Sequence, residues 1–205
     1  VAIFPDGLKV ATASADKTAR IWDAGSGLEL LRLDGHSDRV FSVAIFPDGL
    51  KVATASGDKT ACIWDAGSGL ELLRLDGHSH CVFSVAIFPD GLKVATASRD
   101  ETARIWDAGS GLELLRLDGH SDEVCSVAIF PDGLKVATAS GDKTARIWYA
   151  GSGLELLRLD GHSECVSSVA IFPNGLKVAT ASLDKTARIW DAGSGLELLR
   201  LDGHS

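Results

Sequence analysis

Apolar residues in this chain come in short runs, each closed by a turn signal. Between residues 40 and 76 the pattern is easiest to follow. Val40 to Phe46 (VFSVAIF) is a β-rich run ended by Pro47-Asp48-Gly49, a strong turn sequence. Leu50 to Ser56 (LKVATAS) is a second run, whose small Ala53, Thr54, Ala55 and Ser56 let neighbouring sheets approach closely. A turn around Gly57-Asp58-Lys59 leads into Thr60 to Asp65 (TACIWD), and Ala66-Gly67-Ser68-Gly69 breaks the chain before Leu70 to Asp76 (LELLRLD). No segment carries the 3.6-residue period over ten or more positions that a helix needs. Four strands joined by three short turns predict an all-β antiparallel meander.

The same pattern opens at Val1, Val43, Val85, Val127 and Val169, a period of 42 residues in which 34 positions never change. Five such units less one inter-unit link account for the 205 residues. A fixed period of this size signals a repeat architecture in which one unit cannot bury its own apolar face. A lone four-stranded sheet would expose both faces, and radial repetition covers each with a neighbouring sheet, as in a β-propeller. The predicted blades are units 1–37, 38–79, 80–121, 122–163 and 164–205, forming one propeller region. Closing five blades into a ring takes about 72° per blade. The alternatives are that ring and an open arc, and the arc is the expectation, with apolar faces at both ends available for homotypic association.

The unit resembles a WD-repeat. Gly35-His36 and Trp64-Asp65 carry the glycine-histidine and tryptophan-aspartate marks, and the period lies in that family's range. Kelch units are longer, and quinone-binding propellers lack this histidine register. The resemblance covers the whole chain, and near-identical arrays of this kind also resemble the C-terminal sensor regions of signalling NTPases, fungal incompatibility proteins among them. No Gly-rich phosphate loop is present. The family resemblance implies hydrogen-bonded structural tetrads: His36, Thr54, Asp58 and Trp64; then His78, Thr96, Asp100 and Trp106; then His120, Thr138, Asp142 and Trp148; and finally His162, Thr180, Asp184 and Trp190. Thr12, Asp16 and Trp22 of the first unit have no preceding His.

A hydroxyl, a His and an Asp also fit a nucleophile activated by an oriented base. Three features argue against catalysis. The set recurs in every complete unit, the Trp N–H would occupy the hydroxyl oxygen that should attack, and no GxSxG elbow accompanies it.

Eight columns vary between units. Four hold one exception each: Asn174, Glu101, Cys62 and Tyr149. Asn174 and Tyr149 are expected to be tolerated changes without new chemistry. The multi-state columns are Ala15, Gly57, Arg99, Gly141 and Leu183 in the second-to-third turn; Asp38-Arg39, His80-Cys81, Asp122-Glu123 and Glu164-Cys165 in the links; and Phe41, Phe83, Cys125 and Ser167. With Lys17, Lys59 and Glu101 at the turn tips, the varied turn and link columns mark one rim as a candidate partner-binding surface, since loops on a rigid frame often carry recognition, while Phe41 and its counterparts, at a strand end, also fit the core. That rim is also the usual ligand surface of the resembled family. The other rim is nearly uniform. Glycine geometry accounts for Gly67 and Gly69 but leaves Ser68, Lys51, Glu71 and Arg74 without a reason to be constant.

Composition narrows the function. A net charge of −8 offers no basic stripe for phosphates, which excludes nucleic acid as the main partner. No apolar run approaches a membrane span, and no signal peptide or presequence is visible. The chain has no Met and starts inside a unit, so it reads as a fragment. Cys62, Cys81, Cys125 and Cys165 lack CxxC spacing and read as free thiols in a reducing cytoplasm or nucleus. Cys81 and Cys165 share a column near His80, but the ligand set is too irregular for a metal. The expectation is a non-catalytic scaffold without cofactor that binds a protein or peptide on the varied rim. Its alternatives are a structural oligomerisation module and the sensor region of a larger signalling NTPase.

Overall fold

The computed structural model describes residues 1–203; His204 and Ser205, the end of the fifth unit, lie outside them. The described chain forms twenty strands in five four-stranded antiparallel sheets, each a meander of consecutive strands. The strands of the second blade are Val40–Ile45, Lys51–Ser56, Ala61–Asp65 and Glu71–Leu75. Each is slightly shorter than its apolar run, because the flanking residues close turns. Phe46, for example, takes the N–H of Gly49 on its carbonyl at 2.9 Å. The inner strand of the first blade is reduced to Ala2–Ile3. Blades 2 to 5 span residues 40–75, 82–117, 124–159 and 166–201.

Strand alternation gives each blade two unlike faces. Val52 pairs with Trp64 and Thr54 with Cys62, whereas Ala53 pairs with Ile63 and Ala55 with Ala61 on the opposite side. The alanine side, with Phe46, Ile63 and Leu75, packs against Val85, Val94 and Trp106 of the next blade. The same pairing of faces recurs between blades 1 and 2, 3 and 4, and 4 and 5. Alanines opposite the indole make room for its bulk, which is why the small-residue run is constant. Inner strands also bond across the seams, the N–H of Val85 donating to Ser42 Oγ at 3.4 Å.

The arc is open. Leu75, Leu117 and Leu159 are fully buried, but Leu201 of the last blade is 49% exposed. Ile3 is 69% exposed, and Trp22 is half-buried where Trp64, Trp106, Trp148 and Trp190 are sealed. Ring closure, one of the two expected outcomes, therefore does not occur among the described residues. Four near-identical seams repeat one rotation, and four of them do not carry the fifth sheet round to the first.

The constant exposed positions acquire structural roles. Lys51 Nζ lies over the Phe46 ring at 4.8 Å from its centroid. Ser68 donates both N–H and O–H to Asp65 Oδ1 at 2.7 Å. The Glu71 column takes a guanidinium in each blade, as in Arg104 to Glu113 at 2.6 Å. Gly69 has φ of +75°, a left-handed conformation that disfavours a side chain. Gly67 has no such φ, so glycine geometry does not account for it. Asn174 keeps the Asp role in its turn by accepting the Leu176 N–H at 3.0 Å.

Truncating one seam position should separate interior blades from the last. Leu117→Ala is expected to destabilise by about 2–4 kcal/mol and Leu201→Ala by less than about 1 kcal/mol, read as shifts in urea-unfolding midpoint; equal shifts would contradict an open arc.

Candidate functional site

Each complete tetrad ties a link to the blade that follows it. His36 stands just before the link, Thr54 on the second strand, Asp58 in the second-to-third turn and Trp64 on the third strand. Trp64 Nε1 donates to Thr54 Oγ1 at 2.8 Å. His36 Nε2 lies 2.8 Å from the same oxygen and Nδ1 lies 2.8 Å from Asp58 Oδ2. Since indole can only donate, the Thr54 hydroxyl proton goes to His36 Nε2, and the ring proton on Nδ1 goes to Asp58. The same chain of bonds runs through blade 3, blade 4 and blade 5. In blade 1 Trp22 still donates to Thr12 at 2.8 Å. The glycine before each His is explained by proximity: a Cβ on Gly77 would lie 2.7 Å from Arg104 Nη1 and 3.1 Å from the Trp106 ring.

Asp58 is the junction of two loops. Its Oδ2 accepts the N–H of Ser37 in the link at 2.9 Å, and its Oδ1 accepts the N–H and O–H of Thr60 in the turn at 3.1 and 2.7 Å. Burial opposes its charge, but donors from His36, Thr60 and Ser37 outweigh burial and hold the carboxyl well below the usual range. Asp100, Asp142 and Asp184 are held low for the same reasons. Asp16, without a His, is lowered to about 2, chiefly by the Thr18 hydroxyl.

The varied columns meet on one rim. The N–H of Gly57 donates to the Arg39 carbonyl at 2.8 Å, and Arg99, Gly141 and Leu183 bond Cys81, Glu123 and Cys165 in the same way at 2.9 Å. Turn and link thus run side by side in blades 2 to 5. Lys17, Lys59, Glu101, Lys143 and Lys185 occupy the left-handed region with φ of 68–75°. The left-handed position of the Gly57-Asp58-Lys59 turn is therefore Lys59, not the glycine. Gly57 is small for another reason: a Cβ there would lie 3.1 Å from the Asp38 carboxyl, and one on Gly141 would lie 2.9 Å from that of Asp122. Gly therefore accompanies Asp in the link. His80 instead bonds Ser79 Oγ at 3.1 Å, and its blade carries Arg99. Arg99 reaches across a seam to Glu123 at 3.6 Å. On the inner wall Phe41 and Phe83 meet edge to face at 5.4 Å. Cys165 lies against Cys125, not Cys81.

The family model described as WD domain, G-beta repeat matches five times, at residues 1–23, 27–65, 69–107, 111–149 and 153–191. The chain belongs to the WD-repeat family. A search of curated proteins returns no match. WD-repeats generally serve as non-catalytic scaffolds for protein–protein interaction.

Two departures from the WD pattern have local explanations. In blade 2 Cys62 stands where the other units have Arg. Its cross-strand partner Arg74 takes over, donating to Glu71, Thr60 Oγ1 and the Gly35 carbonyl at 2.6, 3.2 and 3.1 Å. The equivalent Arg116 and Arg158 instead pair with the exposed Asp118 and Asp160. A guanidinium thus reaches the tetrad in blade 2 from a neighbouring strand, a rescue that no single column reveals. Tyr149 replaces the Asp that caps the third-to-fourth turn, and its ring lies over Gly151, where a Cβ would sit 2.8 Å from it. The Ser68-type bonds to a carboxylate are lost in that blade.

As for chemistry, Thr54, Thr96 and Thr138 are fully buried, and each oxygen already holds an indole N–H. No reacting carbon can approach them in this arrangement, which acts as a satisfied internal hydrogen-bond chain.

Thr96→Val would strand Trp106 Nε1 and His78 Nε2 without a partner. A loss of about 2–4 kcal/mol is expected, against about 1 kcal/mol for Thr12→Val, where the indole is half-exposed and no His is present; denaturant midpoints of both variants provide the check. Acid should act through the aspartates. Their folded values lie below the unfolded value of about 3.9, so their stabilisation is complete above that pH and is lost as pH falls through the folded values. Urea midpoints are expected to hold between pH 7 and about 5 and to drop below about pH 4. Asp142→Asn should lower the midpoint at pH 7 and flatten the acid slope, and a wild-type midpoint that rises on acidification would contradict the assignment.

Proposed function

We propose that this WD-repeat array is a non-catalytic scaffold that binds a protein or a peptide across the rim of second-to-third turns and links, in a cytoplasmic or nuclear setting. The observation that carries the reading is the adjacency of the varied turn and link columns, bonded backbone to backbone above tetrads that do not vary. Rim side chains such as Arg39, Arg99, Glu101 and Asp122 are exposed. Among the varied charges, Arg39 and Arg99 lie with Asp38 and Glu101 toward the first blades, whereas Asp122, Glu123 and Glu164 toward the last are all acidic. The acidic late blades suit a peptide that carries basic groups at that end.

A second reading is assembly, supported by the exposed Ile3 at one end of the arc and Leu199 and Leu201 at the other. These faces are the two unlike halves of the internal seam, so a second copy of the chain is their natural occupant.

One experiment separates the two. Peptides selected from a random library against the chain are titrated onto wild type, Arg99→Ala/Glu101→Ala and Leu199→Glu/Leu201→Glu, with mass followed by light scattering. The rim variant should bind about 10-fold or more weakly with unchanged mass, while the terminal variant should change mass alone. Affinity lost only in the terminal variant would sink the rim reading. A concentration-independent mass of 21.5 kDa in wild type would sink assembly.

A further inference from the structure

At the seam between blades 4 and 5, two of the varied columns bring two thiols together. Cys125 lies on the inner strand Val124–Ile129 of blade 4, and Cys165 immediately precedes the inner strand Val166–Ile171 of blade 5. Their sulfurs are 3.8 Å apart, and both residues are half-buried. In blades 2 and 3 the Cys125 column holds Phe41 and Phe83, which pack ring against ring. The Cys165 column holds Arg39, Cys81 and Glu123 in the other links. Two independent departures from the repeat therefore meet as neighbours across one seam. The remaining thiols differ: Cys62 is sealed in the core, where burial pushes it up to about 12, and Cys81 is in another seam.

We propose that Cys125 and Cys165 form a redox-active pair, oxidised by a peroxide to an intramolecular disulfide that clasps blade 5 to blade 4. A disulfide needs its sulfurs about 2.0 Å apart, so rotation about the two Cα–Cβ bonds has to close roughly 1.8 Å from the observed separation. The Cys125 S–H faces the Glu123 carbonyl and the Cys165 sulfur, each at 3.8 Å. Burial raises both thiols, while the hydrogen bond from Cys125 favours the Cys165 thiolate. Cys165 is accordingly the attacking sulfur. Its thiolate takes one peroxide oxygen, the O–O bond breaks, and the departing hydroxide is protonated to water, leaving a sulfenic acid. The Cys125 sulfur then attacks the sulfenic sulfur, the S–O bond breaks, and hydroxide leaves with the Cys125 proton as a second water. Two thiols lose two electrons, and one peroxide gains them.

The bond would join residues 125 and 165, closing a loop that contains the outer strands of blade 4 and the link to blade 5. Blade 5 has a neighbour on only one face, so a covalent tie at its inner edge acts where the arc is least supported.

The test treats the native chain with one equivalent of hydrogen peroxide, then unfolds it, alkylates with N-ethylmaleimide and measures intact mass. Two alkyl groups are expected instead of four, with four restored by dithiothreitol. Trypsin places the four cysteines in four different peptides, so the linked pair identifies itself as 117–135 joined to 159–177. Cys62→Ser/Cys81→Ser should still form the link, and Cys125→Ser should not. Four alkylated thiols after peroxide, a link to Cys81, or bonds only between separate chains would overturn the proposal. The outcome does not depend on whether the rim binds a partner.

Discussion

The seam between unlike sheet faces is the constraint on which the rest of the molecule depends. Each blade offers one face of alanines, Phe, Ile and Leu, and another carrying Val and Trp. Neither face can be left in water over five blades, and neither packs on its own kind. The contact is therefore directional, head to tail, and it repeats without an internal stop. Every constant feature of the apolar pattern follows from it: the alternation, the small residues opposite the indole, and the Leu that closes the outer strand. The open ends follow as well, because a seam that always asks for one more partner leaves two faces unfilled.

The tetrad solves a second problem, holding the link to the blade. Trp64 occupies the seam with its apolar face but carries an N–H that must be satisfied in the core. Thr54 accepts it, His36 accepts from Thr54, and Asp58 accepts from His36. The chain of donors ends on a carboxylate that also gathers backbone N–H groups from the link and the turn. A guanidinium stands beside this carboxylate in blades 2, 3 and 4, even where its own column fails, since Arg74 replaces the missing Arg beside Cys62. Selection by local electrostatics, rather than by column, fits that substitution.

Much of this was legible in the sequence, for identifiable reasons. Repetition of short apolar runs and turn signals is a one-dimensional pattern, so strands and blades could be read directly, while tetrad membership came from the resemblance to WD-repeats. Contacts between columns could not. The constancy of Lys51, Ser68 and Glu71 looked unexplained because their partners, a ring, a turn carboxylate and a guanidinium, come into reach only in the folded blade. The turn around Gly57-Asp58-Lys59 was readable, but not that its left-handed residue is Lys59, since glycine is the usual marker of positive φ. Cys165 shares a column with Cys81, but the seam brings it to Cys125, a proximity no column shows. One missed relation did leave a trace: Gly57 and Gly141 occur with Asp38 and Asp122, the two Asp links that precede a turn in the array.

That trace bears on what rim variation means. If Asp in the link requires Gly in the turn, the two columns do not vary independently, and the number of separate changes on the rim is smaller than the count of differing residues. The remaining variation is still concentrated where the fold tolerates it best. Asp58 pins the link through Ser37 and the turn through Thr60, both by backbone N–H groups. The turn's N–H to the link's carbonyl completes the frame with another backbone bond. None of these bonds uses a side chain from the varied columns. Residues 38, 39, 57 and 59 can change, within the Asp–Gly limit, without moving the loops that carry them. A surface whose backbone is fixed by invariant polar groups and whose side chains are free to differ is the physical requirement for recognition on a rigid frame. Copying the blade preserves that requirement, and it leaves to the rim the differences among otherwise near-identical units.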